Sequence, residues 1–170
     1  TYPPQVNGVS VVTAISVRGL LARGWECEVV APRYPEDGNG LIVDDGGARR
    51  TDLPSVPAPV YNEIRLAAPL WGRVREVADR FRPDVVHSAT EFVVGRLGRR
   101  AARRLGVPFC TSYHTDFAKY TASYGMPWLR GPVTRAIAAF HDSAARTFTP
   151  SEPSKRDLAT IGIERVEVWG

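Results

Sequence analysis

Asp84-Val85-Val86-His87, then Val93 to Leu105, then Pro108-Phe109-Cys110-Thr111-Ser112-Tyr113 are the three pieces that decide the fold. The first and last are short apolar runs of strand length. The middle piece places Val94, Leu97, Ala101 and Leu105 on one helical face, and Gly106 stops it. A strand, a helix and a second strand at this spacing form a parallel crossover unit. Similar units read outward on both sides. Upstream, an apolar helix runs from Val9 to Arg23 with Gly24 as its stop, and Glu28-Val29-Val30-Ala31 is a strand ended by Pro32. Leu70, Val74, Val77, Ala78 and Phe81 mark an amphipathic helix halted by Pro83. Downstream, a helix from about Pro132 should bury Val133, Ala136, Ile137, Phe140 and Ala144. Arg146-Thr147-Phe148-Thr149 is a strand, Ser151 caps a short helix ended by Gly162, and Val166-Glu167-Val168 is a last strand. The fold class expected is α/β, a doubly wound parallel sheet.

Residues 33–69 carry many prolines and glycines and no helical period. They read as a long excursion with short extended pieces at Leu41–Val43 and Val56–Pro59. The helix from Val9 is apolar around most of its circumference and is expected to be largely buried.

In a doubly wound sheet, ligands sit beyond the carboxyl ends of the strands. The stretch Tyr2-Pro3-Pro4-Gln5-Val6-Asn7-Gly8-Val9-Ser10 is a proline-stiffened loop that runs directly into a helix. Asn-Gly readily takes positive φ, and the helix start offers unpaired N–H groups and a positive dipole end, which suits an anion such as phosphate. The same residues also read as a plain turn and N-cap. A loop of this kind normally follows a strand, and the expectation is that a first strand precedes Thr1.

The chain has 170 residues, 44% hydrophobic and 24% charged, enough for one well-packed domain. No apolar run is long enough to span a membrane. Net charge is +4, from 22 basic and 18 acidic residues, and Lys119 and Lys155 are the lysines. So mild an excess favours anionic ligands or surfaces without requiring them. Cys27 and Cys110 each sit in an apolar run and read as small core residues, neither a disulfide nor a metal pair, which fits a reducing, cytoplasmic compartment.

His114 follows a strand and either faces a ligand or closes a turn. His87 ends a strand and reads as a buried, hydrogen-bonded side chain, with Thr90 and Glu91 the better polar contacts. His141 lies inside a helix and reads as structural. Arg96, Arg99, Arg100, Arg103 and Arg104 form a helical stripe, which is a solvated face or a contact with an anionic membrane. No nucleic-acid motif accompanies it. Metal-ligand spacing, G-x-S-x-G, the P-loop and G-x-G-x-x-G are all absent. Ala31-Pro32-Arg33 lacks the acidic residue a dinucleotide ribose needs.

Taken together, several stretches resemble the retaining glycosyltransferases of family 4. They are the opening Tyr2 to Val9, Tyr61 to Ala67, Arg82 to His87, Ala89-Thr90-Glu91, Ser112 to Phe117 and Pro150-Ser151. The branch they look most like holds GDP-mannose-dependent α-mannosyltransferases and sulfoquinovosyl-diacylglycerol synthases. The resemblance implies a GT-B enzyme with two Rossmann-like domains. Residues 1–170 would be the N-terminal, acceptor-side domain, truncated at both ends, and Val168-Trp169-Gly170 would mark the crossing to an absent nucleotide-sugar domain. The implied reaction is retaining transfer of a hexose, mannose favoured, from a nucleotide diphospho-sugar to a lipid or glycan acceptor. GDP-mannose would be the favoured donor, with no separate cofactor and no metal. By the same resemblance, Asn7, Gly8 and Val9 would approach the donor diphosphate, His114 would be catalytic at the transferred sugar, and Thr90, Glu91, Asp116 and Tyr120 would meet the acceptor. This chain has Phe92-Val93-Val94-Gly95 where the branch has Gly-Pro-Leu-Gly. The residues 1–170 alone would be inactive, and the enzyme would be cytoplasmic, peripheral at the inner face of the membrane. The alternative is a Rossmann-like nucleotide- or anion-binding module without transferase activity.

Overall fold

The computed structural model describes residues 2–5, 7–35, 44–58, 64–114, 128 and 130–169. The chain divides into two units, Thr1–Pro83 with Phe92–Leu97, and Asp84–Glu91 with Gly98–Gly170.

In the first unit, α1 spans Gly8–Leu21, β1 Glu28–Pro32, β2 Arg49–Leu53, β3 Ser55–Pro57, β4 Arg65–Ala67 and α2 Trp71–Phe81. β1 and β2 pair in parallel, from Glu28 opposite Arg49 to Pro32 opposite Leu53. β3 and β4 form an antiparallel pair. Tyr2, Ala14 and Ala31 form a core cluster, with Val17 and Val29 packed against them. α1 does not follow its composition. Ser10 and Ala14 are its buried residues, while Val12 and Ile15 stay 42% and 47% exposed. Ser10, Ala14 and Val17 are spaced as one stripe, and a helix resting on a two-stranded sheet buries one stripe, however apolar its remaining surface. β2 lies in the region read as an excursion. Its sequence, Arg-Arg-Thr-Asp-Leu, has no apolar run, so periodicity could not reveal it. Of the extended pieces expected there, Val56–Pro59 overlaps β3, while Leu41–Val43 lies outside the described residues. α2 buries Val74, Val77 and Ala78 as expected, and Arg82, at φ 49°, ends it ahead of Pro83. Glu28, its side chain 2% exposed, pairs with Arg80 of α2.

The second unit contains β5 (Val86–Ser88), β6 (Phe109–Ser112), α4 (Arg130–Asp142), β7 (Arg146–Thr149), α5 (Glu152–Thr160) and β8 (Val166–Val168). The helix α3, Val93–Leu105, lies between β5 and β6 in the chain. The sheet order is β5-β6-β7-β8, and every neighbouring pair is parallel. Ala102, Phe109, Phe140 and Ala144 form one core cluster, and Leu158, Ile163 and Val166 another. Ser151 accepts a hydrogen bond from Ser154 N and caps α5. Gly24, Gly106 and Gly162 all take positive φ after their helices, as their positions in the sequence require. In α4, Ile137 and Phe140 are buried, but Ala136 is exposed and Val133 half-buried. The helix turns a narrower face to the sheet than its run of small apolar residues suggests.

The fold is thus mixed α/β with parallel strands set between helices, as the sequence implies. The parallel strands pair as a two-stranded and a four-stranded sheet, and the antiparallel β3–β4 pair was not expected.

Candidate functional site

The opening loop is the first candidate. Asn7 is extended, at φ −154°, and its Oδ1 accepts from Ser10 N at 2.8 Å. Its carbonyl accepts from Val11 N at 3.1 Å. The expected positive φ at Asn-Gly does not occur. Asn7 is an N-cap and Gly8 is the first helical residue. The capping geometry requires an extended residue there, and it decides the backbone in place of the turn preference. With Ser10 and Val11 served by Asn7, the helix start leaves the N–H groups of Gly8 and Val9 for an outside acceptor. Gly8 is exposed, and a Cβ built on it meets nothing within 4 Å. A glycine at this position leaves room beside the first turn for an approaching anion.

Behind Asn7 the loop is tightly held. Tyr2 is buried, and its hydroxyl donates to Asp45 Oδ2 at 2.8 Å. Burial first, and that bond second, push its pKa well above the usual tyrosine value. Arg50 of β2 donates to the Pro3 carbonyl and, through Nε, to Asp52 Oδ1 at 2.6 Å, with its guanidinium 5.6 Å from the Tyr2 ring centroid. Tyr34, two residues beyond β1, donates to Gln5 Oε1. None of Tyr34, Asp45, Arg50 and Asp52 stood out in the sequence, because a charged edge strand and its flanks resemble ordinary surface.

The second candidate lies at the carboxyl ends of β5 and β6 in the second unit. His114 is half-buried just past β6, and burial holds its pKa below the ordinary histidine value. His87 forms a 2.7 Å hydrogen bond from Nε2 to Ser112 Oγ. The residue as a whole is exposed, contrary to the reading of a buried histidine. Its ring is nevertheless walled in, stacked on Trp169 at 5.8 Å and edge-on to Phe148 at 5.6 Å. That loss of water, with the neighbouring His114 second, lowers its pKa to about 4. Both histidines are therefore neutral at pH 7 and able to donate one hydrogen bond and accept another. His87 pairs with Cys110 in register, so Ser112, two residues on, shares its face. Period-two alternation was the signal that could have found the pair. Thr90 and Glu91 are half-buried in the loop before α3, where the Thr90 carbonyl accepts from Ser88 Oγ at 2.7 Å. Asp116 and Tyr120 lie outside the described residues.

Cys27 and Cys110 are free and half-buried, and burial raises the pKa of both thiols. Among the described residues no group of His, Cys, Asp and Glu is placed to hold a metal ion. No described helix is long and apolar enough to cross a membrane. His141 is buried, as a structural histidine should be.

A mixed α/β fold with parallel strands set between helices is what the sequence resemblance called for. The model of Glycosyltransferase Family 4 matches residues 6–170. The chain belongs to that family. It is 36% identical over 171 residues to a GDP-mannose-dependent alpha-mannosyltransferase of Mycobacterium tuberculosis, covering 99% of this chain and 44% of the relative. The sulfoquinovosyl transferase SQD2 of Arabidopsis thaliana is 33% identical, over 90% of this chain and 30% of its own length. An alpha-monoglucosyldiacylglycerol synthase of Streptococcus pneumoniae is 32% identical, over 98% of this family 4 chain and 37% of its own. The chain thus spans less than half the length of each of these relatives.

Proposed function

We propose that this family 4 chain is the N-terminal, acceptor-side domain of a retaining GT-B glycosyltransferase. It would work with a first strand and a nucleotide-sugar domain supplied from outside residues 1–170. The reaction is transfer of a hexose, mannose favoured, from a nucleotide diphospho-sugar to a lipid or glycan acceptor. The observation that carries the reading is the start of α1, where Asn7 caps the helix and Gly8, exposed, has no side chain beside its backbone. A diphosphate there meets backbone donors and the positive end of the helix dipole.

Gly8 and Val9 bind the donor diphosphate through the backbone, and Asn7 fixes their direction. Stabilising charge as it builds on the leaving diphosphate is the contribution this chain makes to the chemical step. His114, kept neutral by burial, donates to a hydroxyl of the transferred sugar and helps hold its anomeric centre. Thr90 and Glu91 meet the acceptor, a role the resemblance also assigns to Asp116 and Tyr120. No metal or separate cofactor takes part. Arg96, Arg100, Arg103 and Arg104, all exposed along α3, suit peripheral contact with an anionic membrane at the cytoplasmic face, and nucleic acid is not a partner. The names of the relatives support a lipid acceptor, since the S. pneumoniae relative is an alpha-monoglucosyldiacylglycerol synthase.

The test is sugar transfer by the full-length protein from GDP-mannose to an extracted membrane lipid fraction, with the anomer of the product determined. An α-linked mannolipid is expected. Tight donor binding with no transfer to any lipid or glycan would favour the anion-binding module instead.

A further inference from the structure

We infer that Arg50 and Tyr34 are positioning residues for the donor loop, an inference that rests on the diphosphate role proposed for Gly8 and Val9. The segment Tyr2 to Gln5 has one internal backbone hydrogen bond among its described residues, Gln5 N to the Tyr2 carbonyl at 3.3 Å. Its two prolines have no N–H to tie it elsewhere. The loop is instead held by side chains from β2 and from the segments flanking β1 and β2. Arg50 holds the Pro3 carbonyl, Tyr34 holds the Gln5 side-chain carbonyl, and Asp45 holds the Tyr2 hydroxyl.

Arg50 is suited to holding the loop and poorly placed to bind a diphosphate itself. Its Nε is committed to Asp52 at 2.6 Å, so a carboxylate already neutralises the guanidinium, and its Nη1 is committed to Pro3. Asp52 at Nε and Pro3 at Nη1 fix the orientation of the planar guanidinium, and its remaining N–H groups sit on a cation whose charge a carboxylate already balances. The Tyr2 ring lies against it at 5.6 Å. Tyr34 is half-buried, and burial raises its pKa, so its hydroxyl stays protonated and able to donate throughout the neutral range. Gln5, 7% exposed, receives that hydrogen bond in a nearly dry setting. The two contacts fix the chain one and three residues ahead of Val6-Asn7, so the Gly8 and Val9 N–H groups are aimed before a ligand arrives. Binding then avoids the cost of ordering the loop.

The experiment is isothermal titration of the full-length protein with GDP-mannose, alongside Tyr34→Phe, Arg50→Gln, Arg50→Lys and Gly8→Val. Losing one aiming contact should raise Kd by about 3- to 10-fold in Tyr34→Phe and Arg50→Gln, with stoichiometry unchanged. Arg50→Lys, which keeps the charge but not the planar fork that reaches Asp52 and Pro3 together, should lie between wild type and Arg50→Gln. Wild-type Kd in Tyr34→Phe and Arg50→Gln, with weakened binding in Gly8→Val, overturns the positioning role and leaves the donor loop standing. Wild-type Kd in Gly8→Val overturns the donor loop and the inference with it. A lowered stoichiometry or melting point at unchanged Kd means the contacts are merely structural, and that too overturns the inference. If Arg50→Gln does not fold, Tyr34→Phe decides, because it removes a single hydroxyl.

Discussion

His141 Nδ1 lies 2.9 Å from Thr111 Oγ1 inside the second unit, and Thr111 Oγ1 is 3.0 Å from Thr147 Oγ1. All three residues are almost fully buried. They link α4 to two adjacent strands through a short polar chain within an otherwise apolar layer. Nε2 of the histidine has no hydrogen-bond partner, and the ring is edge-on to Tyr113 at 5.6 Å. A protonated imidazole would need a second acceptor, at Nε2, that no described residue supplies, and burial lowers its pKa to about 4.

Acid should therefore destabilise the fold in a defined window. Above pH 6.5 the histidine is neutral in both folded and unfolded chains, and its full contribution is present. As pH falls from 6.5 toward about 4, the unfolded chain takes up a proton that the folded chain refuses, so stability drops. The slope from this one group is at most about 1.4 kcal/mol per pH unit, and His87 and His114 act in the same direction. Urea unfolding across this range should show the fall, and His141→Gln, which cannot titrate, should flatten it. An unchanged pH slope in the variant would show that His141 is not the sensor.

Asn7→Ala removes the side-chain acceptor of the Ser10 N–H. Loss of an N-cap of this type costs about 1 kcal/mol. Because the same cap aims Gly8 and Val9, donor affinity in the full-length protein should fall as well, whereas Asn7→Asp should keep the cap. Thermal melts and donor titrations of both variants check this. Normal donor affinity in a destabilised Asn7→Ala would confine the residue to a structural role.

Gly46 and Gly47 both take positive φ, at 74° and 76°, yet they should respond differently to alanine. A Cβ on Gly46 would meet Leu21 Cδ1 of α1 at 3.2 Å, while one on Gly47 meets nothing within 4 Å. Strain alone should cost roughly 1–2 kcal/mol at Gly47, and Gly46→Ala should exceed that because the Leu21 side chain must also shift. Equal losses in chemical denaturation would mean the contact carries no weight.

His114→Ala tests the sugar-contact role. If its hydrogen bond strengthens in the transition state, the loss should be roughly 2–4 kcal/mol in kcat, with KM for the donor little changed, by analogy with removed oxyanion donors. A folded variant with near-normal kcat would remove His114 from the catalytic set and leave it as a residue closing a turn.

Local signals settled much of this protein. Short runs of strand length beside Gly and Pro, mostly apolar in β1, β5 and β6 and rich in β-branched or aromatic residues in β7 and β8, marked these strands, and the caps at Ser151, Gly24, Gly106 and Gly162 were legible because capping depends on a few neighbouring atoms. α3 was read at its observed bounds for the same reason, since its period and its glycine stop are local. The motifs also carried the family. Tertiary structure decided what local pattern cannot encode. β2 is a strand because its backbone pairs with β1, and nothing in Arg49 to Leu53 announces that partner. The exposure of Val12 and Ile15 depends on which stripe of α1 meets the sheet, and composition is blind to direction. Arg50 reaches Pro3 across 47 residues of sequence, and His87 reaches Ser112 across 25. Such pairs exist only once strands are in register, which is why the residues steering the candidate site were invisible until the chain was folded.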